Sequence, residues 1–239
     1  MRTKECDIKV LLFDFFGTVV DWHGTIVDAL RIVMPAASEE TLHTFANRWH
    51  REGYLHSVVE IANGRMGWRP VEEITLKKLT ELLAEHAVNL PEENVNALNG
   101  VWGKFRPWID VSQGLLFLKK NYYICPFTNG DLPLIMANSK SQNLPWDFIL
   151  TASMFKKYKP DPEIYTAALN MLGIRGCEAL LVAAHFIDLD AAKKAGLCTA
   201  FVERPEELGP HQKGDLDGSG HGYDFCVQDF LHLEKLIRL

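Results

Sequence analysis

Asp14 directly follows a short apolar run, residues 8–13, and Thr18 comes four positions later. A carboxylate that is kept ionised and away from water can act as a nucleophile, and an ester on it divides one difficult displacement into two easier steps. The Thr18 hydroxyl could hold that carboxylate in place. Thr18 could equally cap the amino terminus of a helix, which is a common use of threonine after a turn.

A second polar segment, Thr128-Asn129-Gly130, presents a hydroxyl, a carboxamide and turn N–H groups that suit an anion. Asn-Gly by itself indicates no more than a turn. Lys159, in Tyr-Lys-Pro, supplies a cation, although a lysine in such a setting is more often a solvated loop residue. These residues are candidates for holding a negatively charged ligand.

His185 and Asp188 follow another apolar run, residues 180–184. A single histidine there is more often structural than catalytic, and Asp188 could simply belong to an acidic first helical turn. Arg48 and Arg51 lie three positions apart in a helical pattern, so both could face a site together. A solvated charged face is the alternative for either arginine.

The elements that position these residues follow from the apolar pattern. Short apolar runs that are closed by turns predict strands at residues 8–13, 122–127, 148–151, 180–184 and 199–202. After Pro107 the predicted strands alternate with helical segments, which indicates an α/β protein with a parallel, doubly wound sheet. Ligands bind at the carboxyl ends of the strands in such a sheet, so we expect the polar residues to meet there.

From about residue 22 to about residue 106 the pattern is helical instead. Apolar residues are spaced by three and four, as in Leu42, Phe45, Ala46 and Trp49. This stretch predicts an all-helical insert. Residues 203–224, rich in Gly, Pro and Asp, predict a long loop before a terminal strand and helix.

Bulk composition limits the function further. The chain has 239 residues, of which 47% are hydrophobic and 23% charged, and no apolar run is long enough to span a membrane. A net charge of −6 argues against nucleic acid or an anionic membrane surface as a partner. The amino terminus lacks the features of a signal peptide, so we expect a cytoplasmic protein. The five cysteines fit neither a disulfide framework nor a zinc site, and we expect them to be reduced and mostly buried.

These motifs together resemble the haloacid dehalogenase superfamily. The resemblance rests on Phe-Asp-Phe-Phe-Gly-Thr at 13–18, Phe-Thr-Asn-Gly-Asp at 127–131, Lys-Pro-Asp-Pro-Glu-Ile-Tyr at 159–165 and Ala-Ala-His-Phe-Ile-Asp at 183–188. It extends from Ile8 to Pro205 and is greatest to type II L-2-haloacid dehalogenases, including a defluorinating branch. It implies a Rossmann-like core over residues 1–20 and 108–239 and a helical cap domain over residues 21–107.

The resemblance also implies roles for individual residues. Asp14 would be the nucleophile, Lys159 would keep it ionised in place of a metal, and Asp188 would bind Lys159 and orient the hydrolytic water. Thr128 would contact the substrate carboxylate, and Asn129 would donate to the halide or to Asp14.

Further roles are implied around the substrate. Arg51 would stabilise the halide, with Arg48 as the second choice. From its residue type, Tyr165 could line a small aromatic pocket, although an aromatic residue at such spacing more often belongs to the core. His185 departs from the pair of residues that many of these dehalogenases carry, but it fits the compact-pocket branch.

Phe16 decides between two branches of the superfamily. Phosphatases of the superfamily carry an acid at this position, two residues after the nucleophile, to protonate the leaving alkoxide. A phenylalanine cannot transfer a proton, whereas a halide leaves as a stable anion and needs none. The resemblance therefore implies a hydrolase that acts on carbon–halide bonds and converts short 2-haloacids to 2-hydroxyacids without metal or other cofactor. The alternatives are a magnesium-dependent phosphatase and a non-catalytic member of the fold. The expected partner is a small anionic haloacid. The sequence does not decide whether the protein forms a homodimer.

Overall fold

The computed structural model describes residues 6–210 and 212–237. Residues 1–5, on which the expectation about export partly rests, lie outside the described residues, as does His211. The described residues form eight short strands: β1 Val10–Phe13, β2 Val20–Asp21, β3 Arg106–Pro107, β4 Tyr123–Thr128, β5 Leu150–Thr151, β6 Ala179–Ala183, β7 Cys198–Val202 and β8 Phe225–Val227.

Six of these strands form one parallel sheet in the order β5-β4-β1-β6-β7-β8. β1 lies between β4 and β6, and all four of its residues are buried. A strand that is covered on both faces must be apolar throughout, which explains why residues 8–13 contain a continuous apolar run. The carboxyl end of β1, directly before Asp14, therefore opens at the centre of the sheet edge.

Helices flank this sheet after nearly every strand, as the alternating pattern predicts. The core helices are α6 Val111–Leu118, α7 Leu132–Ser141, α8 Ala152–Phe155, α9 Pro162–Leu172, α10 Phe186–Lys194 and α11 Phe230–Ile237. The predicted α/β class with a Rossmann-like, doubly wound sheet is confirmed.

The segment between β2 and β3 is helical. It contains α1 Trp22–Val33, α2 Glu39–Arg48, a π-helical segment Trp49–Leu55, α3 His56–Ala62, α4 Val71–Glu85, α5 Glu92–Asn99 and a short 3-10 turn Gly100–Gly103. Local capping starts these helices: the Asp21 carboxylate accepts a hydrogen bond from the Gly24 N–H at 2.7 Å at the start of α1. Thr18 is therefore not the helix cap.

β2 and β3 pair antiparallel, with Val20 opposite Pro107. The chain thus leaves the sheet edge and returns to it through one short ribbon, close to the predicted limits of the cap at residues 21 and 107. The division into a cap domain and a core domain stays a prediction.

The expectation for the cysteines is wrong for most of them. Cys6 and Cys177 form a disulfide with Cα atoms 5.8 Å apart, although they are separated by 171 positions in the sequence. An odd count argues against a framework of several bridges, but it does not reveal one bridge between cysteines that only the fold brings together. Of the other three, Cys125 is buried, Cys198 is half-buried and Cys226 is exposed.

No helix among residues 6–210 and 212–237 combines the length and the apolar character that a membrane crossing requires.

Candidate active site

A cavity of about 430 Å³ opens at the carboxyl edge of the sheet, beneath the π-helical segment. Its floor is charged and its walls are largely apolar. The floor is formed by Asp14, Lys159, His185, Asp188 and Glu207, and the walls include Phe16, Tyr54, Leu55, Val58, Val59 and Leu208.

Asp14 is the centre of the floor and is held at both carboxylate oxygens. The Lys159 ammonium lies 2.9 Å from Oδ1, while the Thr18 hydroxyl donates to Oδ2 at 2.8 Å. The Ala184 N–H donates to the Thr18 oxygen at 2.9 Å, which leaves the hydroxyl hydrogen free to point at Asp14. The ring of His185 also contacts Oδ2, at 3.1 Å from Nδ1. Thr18 therefore takes the position that the sequence predicts for it.

Electrostatics keep this carboxylate ionised. Burial alone would raise the pKa of Asp14, but the charge of Lys159 and the contact with His185 lower it well below its usual range. Burial would likewise lower the pKa of Lys159, but the charges of Asp14 and Asp188 raise it above its ordinary value. The site thus holds a dry carboxylate beside a buried ammonium.

Asn129 explains how Lys159 is positioned. Its carboxamide accepts from the Lys159 N–H at 2.7 Å and donates to the Lys159 carbonyl at 3.0 Å. Asn129 lines the cavity as predicted, but its amide groups hold the lysine loop and do not contact Asp14. Its contribution is to fix the backbone from which the ammonium projects.

Asp188 lies in the first turn of α10 and completes a buried ion-pair network. One of its oxygens is in very short contact with the Lys159 ammonium, and the other accepts from the Tyr165 hydroxyl at 2.5 Å. Burial, together with the nearby charge of Asp14, raises the pKa of Asp188 above its ordinary value.

Tyr165 is fully buried behind this pair and is not among the residues that line the cavity, so its predicted place in the pocket is corrected. The pattern placed it near the site, but α9 turns its side chain toward Asp188.

Thr128 also differs from its prediction. It is buried at the end of β4, and its hydroxyl accepts the Gly130 N–H at 3.0 Å. It therefore closes the turn and is not among the cavity-lining residues. A turn-forming hydroxyl and a ligand-binding hydroxyl have the same sequence pattern, which is why the two could not be told apart.

The structure brings neither predicted arginine to the cavity. Arg51 is exposed and lines a separate surface depression, while Arg48 forms ion pairs with Glu52 at 2.8 Å and with Glu85 at 2.6 Å. The cause is the π-helical segment, whose wider turns change which residues share a face. His50 and Tyr54, four positions apart, point into the cavity instead.

Phe16 forms an apolar wall beside Asp14. Its ring packs edge-on against Tyr54, Trp102 and Phe105, with centroids 5.5, 5.5 and 5.6 Å away. The position two residues after Asp14 is thus occupied by a phenylalanine ring, which has no proton to transfer.

Glu207 and His50 are among the cavity residues that the sequence did not predict. Glu207, in the loop after β7, lies 2.9 Å from Nε2 of His185, and His50 is stacked on Trp22 with ring centroids 3.8 Å apart. Glu207 stands among other acidic residues in a loop rich in Gly and Pro, so no spacing singles it out. His50 adjoins the predicted arginines, and only the π-helical geometry shows that it is the inward residue.

A divalent metal would find few free ligands at this floor. All four oxygens of Asp14 and Asp188 already contact protein donors, and among residues 6–210 and 212–237 no cluster of three or more His, Cys, Asp or Glu side chains has a metal-binding arrangement. An ammonium occupies the space between the two carboxylates. The residues present therefore do not fit a magnesium ion without displacement of Lys159.

Comparisons with known proteins agree with this geometry. A family model described as haloacid dehalogenase-like hydrolase matches residues 8–196. The (S)-2-haloacid dehalogenase 4A of Burkholderia cepacia is 26% identical over 202 residues, which cover 82% of this chain and 84% of that protein. A phosphoglycolate phosphatase of Mesorhizobium japonicum is 26% identical over 198 residues, which cover 81% of this chain and 82% of that protein.

The crystal structure of a defluorinating L-2-haloacid dehalogenase is similar along nearly its whole length. It has a TM-score of 0.90 and 34% sequence identity, and the match covers 97% of this chain and 96% of that chain. The predicted resemblance is confirmed, because the family model spans most of the chain and the core fold is shared. The chain belongs to the haloacid dehalogenase-like hydrolases.

Proposed function

We propose that the protein hydrolyses short 2-haloacids to 2-hydroxyacids through a covalent ester on Asp14, without a metal ion. One observation carries the proposal: an ionised carboxylate, neutralised by the Lys159 ammonium, faces a cavity whose adjoining wall is Phe16. Such a site offers a nucleophile but no acid at the position two residues after it, which suits a halide because a halide leaves without a proton.

In the first step an Asp14 oxygen attacks C2 of the haloacid. The new carbon–oxygen bond forms as the carbon–halogen bond breaks, and the halide departs with the electron pair. Lys159 and His185 face the same floor and are the cations nearest to the bound acid. Apolar side chains of the wall, such as Val58 and Leu208, accommodate the short carbon chain.

In the second step water attacks the ester carbonyl carbon of Asp14. Asp188 borders the cavity and is tied to Lys159 and Tyr165, so it is placed to accept a proton from that water. The bond between the carbonyl carbon and the substrate-bearing oxygen then breaks. The departing alkoxide takes the proton from Asp188, so the product keeps an oxygen that belonged to Asp14. The carboxylate is restored with the oxygen of water, and the remaining proton of that water is released to solvent.

Two features support the choice of substrate over a phosphate ester. The relatives named above include (S)-2-haloacid dehalogenase 4A, and we extend its substrate class and its S preference to this chain. A phosphatase relative is equally similar, but here Phe16 takes the position of the second acid and Lys159 takes the cation position. The dehalogenase is therefore the better fit to this site.

A substrate panel tests the proposal. We expect halide release from chloroacetate, bromoacetate and the S enantiomer of 2-chloropropionate, and no phosphate release from phosphoglycolate with or without magnesium. Halide release from fluoroacetate tests whether the enzyme displaces fluoride, and release from the R enantiomer of 2-chloropropionate tests whether the pocket accepts the opposite configuration. Asp14→Asn should lower halide release at least about 10³-fold, because the nucleophile is lost. Magnesium-dependent phosphate release without halide release would replace the dehalogenase with the phosphatase.

A further inference from the structure

The ring of His185 lies between two carboxylates. Nδ1 is 3.1 Å from Asp14 Oδ2, and Nε2 is 2.9 Å from Glu207 Oε1. A neutral imidazole donates through only one ring nitrogen, so the other would direct its lone pair at a carboxylate oxygen. The imidazolium form, with two N–H donors, satisfies both contacts. The geometry therefore selects the protonated ring.

The Glu207 side chain is buried in a space that Gly17, which has no side chain, leaves unfilled. Its side chain is only 4% exposed, and the Trp22 indole N–H donates to the same Oε1 at 3.1 Å. A Cβ atom on Gly17, which has a φ of +81°, would lie 2.0 Å from that oxygen. Because a buried carboxylate is costly unless a cation pairs with it, Glu207 and the His185 imidazolium stabilise each other.

The two oxygens of Asp14 differ in the number of donors they contact. Oδ2 contacts both the Thr18 hydroxyl, at 2.8 Å, and His185, whereas among the described residues Oδ1 contacts only the Lys159 ammonium. A carboxylate oxygen has two lone pairs, so Oδ1 keeps one for attack and Oδ2 keeps none. After alkylation at Oδ1, the carbonyl oxygen of the ester is Oδ2.

We propose that Glu207 is a positioning residue: it holds His185 as the imidazolium, whose Nδ1–H joins the Thr18 hydroxyl in an oxyanion site for hydrolysis of the Asp14 ester. The role rests on the proposed function. When water attacks the carbonyl carbon, the carbon–oxygen π electrons move onto Oδ2 and the water proton passes to Asp188. On collapse the carbonyl re-forms, the bond to Oδ1 breaks, and the departing alkoxide takes the proton back. Donors at 2.8 and 3.1 Å from Oδ2 lie at the distances that stabilise such an oxyanion.

The charged groups around His185 favour its protonation. Burial lowers its pKa, but the charge of Glu207 and the hydrogen bond with Asp14 raise the pKa well above its ordinary value. Lys159 and Asp188 lie on the same floor and neutralise each other. From the π-helical segment, His50 faces the same cavity, but burial and the charge of His185 lower its pKa to about 3, so it stays neutral.

Glu207→Gln tests the proposal, with Glu206→Gln as the matched control because Glu206 is the exposed neighbour. A neutral glutamine lets His185 lose its proton near the ordinary histidine pKa of about 6.5. At about pH 8 we expect ester hydrolysis to slow by roughly 10²-fold, with the alkylated enzyme visible by intact-protein mass spectrometry. At about pH 5.5 the rate should return to within a few-fold of the wild-type value. The control should match the wild type at both pH values.

A second measurement needs no turnover. Nitrogen NMR of isotope-labelled histidine in the free enzyme, with His185 assigned by its loss in His185→Gln, should show a doubly protonated ring at about pH 8 in the wild type and a neutral ring in Glu207→Gln. A neutral His185 in the wild type overturns the proposal even if the variant fails to fold. An equal loss of rate at both pH values, or a wild-type profile in the variant, also overturns it. Absence of halide release by the wild type would instead refute the proposed function and the oxyanion role with it, while NMR still decides whether Glu207 and His185 form the ion pair.

Discussion

At the scale of single residues, the donors around Asp14 and Asp188 have separable tasks. Lys159 bridges both carboxylates, Thr18 orients Asp14, and Tyr165 orients Asp188. In the proposed mechanism the first step needs Asp14, whereas the second also needs Asp188 to hold water. Changes on the Asp188 side should therefore slow ester hydrolysis more than ester formation.

Tyr165→Phe isolates that second step. Within the described part of the chain, the side chain of Asp188 accepts hydrogen bonds from Lys159 and Tyr165 only. The substitution removes the second of these donors and keeps the aromatic ring, so it does not open a large cavity. Loss of one hydrogen bond to a charged group, on the order of 1.5 kcal/mol, should slow ester hydrolysis about tenfold and leave the initial halide burst intact. Rapid-quench measurement of halide against hydroxyacid separates the two steps, with the exposed Tyr123→Phe as control. Equal slowing of both steps would place Tyr165 in the first step as well.

Sequence patterns identified the residues of the floor that directly follow strands. The alternating pattern predicts that Asp14, His185 and Asp188 share the carboxyl edge of the sheet, and the structure adds that β1 and β6 are neighbours. Glu207 could not be identified in this way, because it reaches the site from an irregular loop whose path no periodicity predicts. Thr128 shows the converse: its residue type was compatible with two roles, and only the Gly130 contact distinguishes them.

At the scale of elements, the π-helical segment Trp49–Leu55 determines what the helical insert presents to the cavity. The sequence predicted the helical insert and the strands β1, β4, β5, β6 and β7 to within about two residues, since these depend on local periodicity, but it did not predict the short ribbon of β2 and β3. A π-helical turn has no such periodic signal. The prediction that an arginine enters the site failed for this reason.

The arginines provide a test of this segment. Arg51→Ala should leave kcat/KM for the haloacid within about twofold of wild type, because its side chain is exposed outside the cavity. Arg48→Ala should lower the unfolding free energy by about 1 kcal/mol, through loss of its pairs with Glu52 and Glu85, and also leave kcat/KM nearly unchanged. Steady-state kinetics and urea unfolding measure the two effects. A loss of kcat above about 10²-fold in Arg51→Ala would show that this arginine stabilises the halide after all.

The same segment makes stability depend on pH through His50. Its folded-state pKa of about 3 lies below the ordinary histidine value because burial and the charge of His185 disfavour protonation. The unfolded chain therefore binds the extra proton first, so the stability contribution is complete above about pH 6.5 and is lost as the pH falls toward 3.

His50→Gln should remove this part of the acid sensitivity. Between about pH 6.5 and pH 5, the loss of unfolding free energy should be smaller in His50→Gln than in the wild type by up to about 2 kcal/mol. Urea unfolding at several pH values measures it, with the exposed His56→Gln as the control. Parallel pH profiles for wild type and His50→Gln would contradict a neutral, buried His50.

At the scale of the whole molecule, charge is distributed unevenly. The chain carries a net charge of −6, yet the cavity floor contains the cations Lys159 and His185 beside its carboxylates. The three carboxylates Asp14, Asp188 and Glu207 outnumber these two cations, so the floor has no net positive charge, and an anionic substrate has to be bound through individual donors. The composition excluded polyanionic partners but could not locate this local site, which arises from residues distant in the sequence.

Removal of metal ions by a chelator tests whether the enzyme turns over with the cationic side chains of the floor alone. Since Lys159 bridges the two carboxylates, halide release should be unchanged within about twofold by excess EDTA or by added magnesium. The assay compares initial halide release before and after exhaustive dialysis against chelator, with a magnesium-dependent phosphatase as positive control. Loss of turnover that magnesium restores would contradict the metal-free mechanism.

Isotope transfer from water tests the central claim, the Asp14 ester, most directly. In a single turnover in heavy-oxygen water with enzyme in excess, the label should enter the Asp14 carboxylate, and the first hydroxyacid should carry an unlabelled oxygen from the protein. Mass spectrometry of the peptide that contains Asp14 and of the product measures both. Label found in the first hydroxyacid and absent from Asp14 would show that water attacks the substrate directly, which contradicts covalent catalysis by Asp14.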